Sequence, residues 1–241
     1  MNRLPQLQKA WHRAFSPLLT VFLESSCPLC DRTTASSICS SCRKQLSQSQ
    51  LANPLHQASS DLPVLAWGAY QGSLRQAMAA LKYNQKPDLA EFLGKNLGQV
   101  WQQHGQLQLS SPAIHPIVVP IPLHEDKLRQ RGFNQAELLA RWFCRTTHLP
   151  LMANGLVRIR VTKAQHGLGA AARQKNLSNA FDLGHAWQKT KPTQPVLLID
   201  DIYTTGATVR SAADTLKRYG ISVVGVGAIA RAMPSAALEQ S

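Results

Sequence analysis

Four of the five cysteines stand in two Cys-x-x-Cys pairs: Cys27-Pro-Leu-Cys30 and, eight residues later, Cys39-Ser-Ser-Cys42. Each pair can form a knuckle, and four thiolates from two knuckles suit one tetrahedral Zn2+. The spacer is shorter than the usual run of about 15–20 residues, yet it can still turn back. Four thiolates leave no open position for a substrate, so the expected role is structural. Arg32, Arg43 and Lys44 would offset the negative charge of such a centre. Two redox pairs or two disulfides are the alternatives, and disulfides need an oxidising compartment. Residues 1–25 carry charge and proline without a clean apolar stretch, so no secretory signal is expected. Cys144, in Trp142-Phe143-Cys144, reads as a buried core thiol rather than a nucleophile.

A second segment carries anion chemistry: Val196-Leu197-Leu198-Ile199-Asp200-Asp201-Ile202-Tyr203-Thr204-Thr205-Gly206-Ala207-Thr208. An apolar strand ends in two adjacent carboxylates, and a loop with three threonines and a glycine then opens a helix. Backbone N–H groups at a helix start converge on a common centre, and the helix dipole favours an anion there. Thr204, Thr205 and Thr208 add hydroxyl donors, Gly206 lets the backbone come close, and Ala207 continues the turn. Asp200 and Asp201 can accept hydrogen bonds from two neighbouring hydroxyls of a sugar. Carboxyl ends of parallel strands are where α/β sheets bind ligands. The segment therefore suits a ribose 5-phosphate. It is not a Walker A loop, because no Gly-Lys-Ser/Thr is present.

The elements that position these groups follow from hydrophobic periodicity. Leu4, Leu7, Trp11, Phe15, Leu18 and Phe22 recur at helical spacing. That helix is expected to pack on the neighbouring module rather than lie on a membrane, since Pro5 and Pro17 limit its length. A cysteine-bearing segment runs to about residue 45, and residues 45–63 read as a polar linker. Strands are predicted at 64–70, 117–121, 156–161, 196–202 and 222–230, and helices at 73–83, 87–104, 134–144, 170–180 and 208–219. This alternation predicts an α/β domain with a mainly parallel sheet flanked by helices. We divide the chain into residues 1–60, an N-terminal helix with a small four-cysteine module and linker, and residues 61–241, the α/β domain. No run of 18 apolar residues occurs, so no spanning helix is expected.

The 241 residues carry 26 Lys and Arg against 13 Asp and Glu, a formal charge of +13. Residues 127–175 hold ten basic residues against Glu137 alone, a net +9. A solvated helix face usually alternates signs; this stretch reads as an anion-binding zone.

The segment 196–208 resembles the phosphoribosyl pyrophosphate (PRPP) signature of type I phosphoribosyltransferases. Two more stretches narrow the resemblance to the ComF family. One is Val119-Pro120-Ile121-Pro122-Leu123-His124 leading to Arg131-Gly132-Phe133-Asn134-Gln135. The other runs Arg158, Thr162, Gln165, Leu168, Arg173, Asn176, Ala180 and Phe181. The cysteine knuckles, Tyr70-x-Gly72 and Leu81-Lys82-Tyr83 fit the same family, while Asp126-Lys127 stands where relatives often carry two basic residues.

The resemblance implies a phosphoribosyltransferase-like fold with a zinc ribbon and a cytoplasmic protein of natural transformation. Such a protein would handle imported single-stranded DNA, with DNA-uptake proteins as candidate partners, and bind PRPP or a related phosphorylated ribose with Mg2+. By position, Thr204, Thr205, Gly206, Ala207 and Thr208 would hold the 5-phosphate, and Asp200 and Asp201 the ribose. Leu123 and His124 match the pyrophosphate loop, and residues 158–173, with Arg158, Lys163, Gln165 and Arg173, the mobile loop. The alternative implied function is active transfer of ribose 5-phosphate to a nucleobase-like acceptor, with Arg129, Arg131, Lys163 and Arg173 stabilising the pyrophosphate that leaves. No catalytic residue is assigned, because the reaction needs positioning and charge stabilisation rather than a protein nucleophile.

Overall fold

The computed structural model describes residues 25–57, 62–84, 86–105, 115–160 and 180–233. The expected helix at 3–22, residues 170–179 of the expected helix at 170–180, and the loop residues Lys163, Gln165 and Arg173 lie outside the described residues.

A five-stranded sheet has the order β3-β4-β9-β8-β5. Its strands are β3 (Leu55–Gln57), β4 (Pro63–Ala69), β5 (Ile117–Pro120), β8 (Val196–Tyr203) and β9 (Val223–Arg231). Strands β4, β9, β8 and β5 run parallel, and β3 pairs antiparallel on the edge. Val196, Leu197, Leu198 and Ile199 are all fully buried, the continuous apolar run of a strand covered on both faces.

Successive residues of β8 feed two apolar clusters. Leu197 and Ile199 meet α2 (Gly72–Tyr83), α3 (Leu89–His104) and α5 (Gln135–Thr147). Val196 and Leu198 meet α6 (Ala207–Arg218), the short ladder of β6 (Leu156–Arg158) with β7 (Phe181–Leu183), and Trp187. Helix α3 lies close against α5: a Cβ added at Gly94 would sit 2.6 Å from the Leu139 carbonyl oxygen, and one at Gly98 2.7 Å from Thr146 Cβ. Backbone contact at this range requires glycine.

The cysteine module consists of the hairpin β1 (Ser25–Ser26) with β2 (Thr33–Thr34), followed by α1 (Ser40–Ser47). It shares the first apolar cluster, to which it gives the fully buried Ile38 and Leu46. Arg43 lies over the Phe92 ring at 5.7 Å, and Phe92 in turn meets Trp67 edge to face.

The segment read as a polar linker is shorter than expected. Its residues Leu55–Gln57 form β3, and Leu51 N–H donates to the Trp67 carbonyl at 3.0 Å. Leu51, Pro54 and Leu55 supply enough apolar surface to hold an edge that composition alone hides. Helix α4 (Glu125–Arg131) was also not anticipated, since none of its residues is buried and it has no apolar period.

Candidate functional site

Strand β8 delivers Asp200 and Asp201 at its carboxyl end. Beyond Tyr203 the chain turns at Gly206, whose φ of +73° lies in the left-handed region. A Cβ there would stand 2.5 Å from Tyr203 Oη and 2.7 Å from Arg210 Nη1, so glycine is required by both conformation and space. The first helical bond of α6 runs from Arg210 N–H to the Gly206 carbonyl at 2.9 Å. The N–H groups at 207–209 therefore have no intrahelical acceptor and point out of the helix start. Thr204 and Thr205 are exposed and Thr208 half-buried beside them. Strand, loop and helix start thus have the form an anion-binding turn needs.

The two carboxylates differ. Asp201 is buried, and its Oδ2 accepts from Lys82 Nζ at 2.8 Å and from Gln135 Nε2 at 2.8 Å. Asp200 is half-buried and accepts from the Asp201 backbone N–H at 2.8 Å. Burial, and then the negative charge of Asp201, push Asp200 up to about 7, against the opposing help of that N–H, Lys82 and Arg158. Between pH ~4 and ~7 the folded chain holds a proton that an unfolded aspartate has released. Stability from this group is full at low pH and falls as pH rises through that window. Asp200→Asn is expected to flatten the corresponding part of the stability–pH curve in denaturant titrations; an unchanged slope would contradict the assignment.

Cations surround the pair. Burial pushes the Lys127 amine below its usual range, and the charges of Arg158, Arg131 and Lys82 push it the same way, so all three act on it electrostatically. Arg158 extends from the end of β6 over the Phe181 ring at 5.4 Å, where burial lowers its guanidinium from the usual range against the opposing charge of Asp200. Arg131 donates to Gln135 Oε1, the same carboxamide that holds Asp201. Asn134 positions this corner: its side chain caps α5 through Ala136 N–H at 3.1 Å and donates to the Ile121 carbonyl at 3.1 Å.

Arg158 therefore acts on Asp200 directly, and Arg131 is linked to Asp201 through Gln135. Arg129, expected beside Arg131, is exposed and turns to Glu125 at 3.3 Å and Asp126 at 2.5 Å. Leu123 and His124 lie half-buried after β5, where His124 caps α4 by accepting from Asp126 N–H at 3.3 Å. Lys82, Lys127 and Gln135 were missed as site residues. Lys82 and Gln135 stand inside motifs quoted above and Lys127 inside the basic stretch, but no local signal tells which residue turns inward.

The four cysteine sulfurs lie within 4.8 Å of one another. Cys30 Sγ and Cys39 Sγ are 3.6 Å apart, near the ~3.8 Å edge of a tetrahedron with metal–sulfur bonds of ~2.3 Å. All five cysteines are free. Burial raises the Cys27 thiol, but backbone N–H groups of Cys39, Leu29 and Cys30 outweigh it and bring the group down to about 6. The cluster can hold a structural metal ion.

An α/β domain with a strand–loop–helix turn at the carboxyl end of its sheet and an attached four-cysteine cluster defines the class of protein. Its relatives define the family. The chain is 31% identical over 165 residues to DNA utilization protein YhgH of Escherichia coli, covering 68% of this chain and 70% of that protein. It is 36% identical over 115 residues to competence protein F of Haemophilus influenzae, covering 48% of this chain and 50% of that one. With competence protein ComFC of Bacillus subtilis it shares 26% identity over 196 residues, 80% and 72% of the two chains. The chain belongs to the ComF family of competence proteins. The matched part spans half of the Haemophilus protein's length. No family model matches the chain. Solved structures similar to it include adenine phosphoribosyltransferase from Leishmania donovani, at 14% identity and a TM-score of 0.38, covering 79% of this chain and 67% of that one. Among the described residues, no helix is long and apolar enough to cross a membrane.

Proposed function

We propose that the protein serves DNA utilisation in competence, binding a phosphorylated ribose of the PRPP class with Mg2+ and handling single-stranded DNA in the cytoplasm. The observation that carries this reading is the turn at Gly206, open at its helix start, beside a carboxylate pair with its own cations. The names of the relatives supply the link to competence and DNA utilisation. The 5-phosphate sits on the backbone at 204–208. Lys82 and Gln135 both take Asp201 Oδ2, so ribose hydroxyls fall to Asp201 Oδ1 and to Asp200. Leu123, His124 and Arg131 border the pyrophosphate. The cysteine cluster holds zinc in a structural role, the metal suited to four thiolates.

The decisive experiment is calorimetric titration with PRPP and Mg2+. Binding is expected, and Thr205→Val, which keeps shape but deletes a donor, is expected to cost about 1–3 kcal/mol, the value of a hydrogen bond to a charged group. Absence of binding in the unaltered protein would remove the sugar-phosphate reading.

A second reading, transfer of the ribose phosphate, is favoured by the convergence of Lys82, Lys127, Arg131 and Arg158. The bond from C1 to the pyrophosphate oxygen breaks, an acceptor nitrogen bonds to C1, and these cations stabilise the departing charge. Release of pyrophosphate only when an acceptor is supplied would select this reading.

A further inference from the structure

Tyr83 ends helix α2 with 74% of its surface exposed, more than Ile159, Leu128, Val157 or Tyr219. A large apolar ring left in water is informative when its orientation is fixed, and this one is held. The Arg131 guanidinium lies 5.6 Å from the ring centre, an approach that covers one ring face and holds the ring by cation–π attraction. Arg131 is fastened to Gln135, Gln135 to Asp201, and Asp201 to Lys82, the residue before Tyr83. The contacts close into a ring of five residues, so Tyr83 is a set platform rather than a swinging side chain. Arg131 and Lys82, which hold it, belong to the same positive cluster as Lys127, whose amine feels both of them and Arg158.

A flat, exposed π surface beside several cations fits an occupant that carries both flat rings and regularly spaced negative charge. Unpaired bases on a phosphodiester backbone have that chemistry; a duplex does not offer its base faces. We infer that Tyr83 is a stacking platform for an unpaired base of single-stranded nucleic acid, whose flanking phosphates run over Arg131 and Lys127. The inference rests on the nucleic-acid part of the function proposed above and is independent of its sugar-phosphate part. It places the strand's path across the mouth of the Asp200–Asp201 site.

The test uses the full chain and fluorescence anisotropy with two labelled strands of equal length, oligo-dT and an abasic deoxyribose-phosphate strand. Tyr83→Ala is expected to weaken oligo-dT binding by about 5- to 150-fold, the equivalent of one stacked base at ~1–3 kcal/mol. It is expected to leave the abasic strand within about twofold, because phosphate contacts are untouched. Tyr83→Trp is expected to keep oligo-dT affinity, with indole emission quenched by oligo-dT and not by the abasic strand. Equal loss on both strands, or no loss on oligo-dT, would overturn the platform while leaving DNA binding intact. An unaltered protein that binds neither strand would overturn both the platform and the nucleic-acid reading, and PRPP calorimetry on the same sample reads the sugar-phosphate pocket separately.

Discussion

Gly206→Val is expected to remove measurable binding of ribose phosphates. Two costs combine. The native φ of +73° is strained for any residue with a Cβ, and most of all for a β-branched one. Such strain costs on the order of 1–3 kcal/mol. The new Cβ also falls 2.5 Å from Tyr203 Oη and 2.7 Å from Arg210 Nη1. The arginine tip can swing away. Tyr203 is only 6% exposed and packs in the second apolar cluster, so it has little room to move. The loop must then open, and the N–H groups at 207–209 no longer share a centre. Affinity for PRPP is expected to fall more than about a hundredfold, on the order of 3 kcal/mol. Gly206→Ala should fall between valine and the native chain, since it carries the strain without the branch. Calorimetry that finds the valine variant within about tenfold of the native chain would move the phosphate away from this turn.

Removal of the metal should produce the largest loss of stability. Purified protein is expected to carry about one zinc ion per chain by elemental analysis. Cys42→Ser deletes one of four ligands and leaves three thiolates crowded without a complete centre. The damage reaches beyond the module, because Ile38 and Leu46 are fully buried in the cluster that includes Trp67, Leu74 and Leu93. We expect a loss at the upper end of single-substitution effects, more than about 4 kcal/mol. At about 2–4 °C per kcal/mol for a chain of this size, Tm falls by roughly 10 °C or more. Chelation of the native protein should lower Tm similarly, with change first in amide exchange at 25–47. Cys144→Ser is the control. Burial raises that thiol to about 12, and it lies outside the cluster, so metal content should be unchanged. Metal-free protein of undiminished stability would contradict the structural role.

The parts of the fold that were readable from sequence are those with a dense local signal. The strand at 196–202 is four consecutive apolar residues ended by charge, and helix 87–104 repeats Leu89, Leu93, Leu97 and Trp101 on one face; both are present within a residue or two. Helix α4, strand β7 and the edge strand β3 are short and carry little periodicity, and tertiary pairing decides them. The same division runs through the site. The turn at 200–208 is contiguous, so its chemistry could be read along the chain. Lys82, Lys127 and Gln135 come from separate elements and meet only after folding. Arg129 had a local clue that was not used: Glu125 stands four residues before it, the spacing of a helical ion pair.

The two glycines of α3 bear on the charge of the paired aspartates. Their missing side chains set the thickness of the helical layer, because α5 comes down on Gly94 with its Leu139 carbonyl and on Gly98 with its Thr146 side chain. Gln135 is the first residue of α5, and its carboxamide reaches Asp201 at 2.8 Å. Helix α3 therefore works as a gauge block under α5, and the tolerance of that block is transferred to the carboxylate. A methyl group added at position 94 has no room to be absorbed where it stands and must lift the helix. Asp201 would then lose an amide donor to a substitution that touches no ionisable group, so the chemistry at the sheet's carboxyl edge is calibrated by backbone spacing within the neighbouring layer.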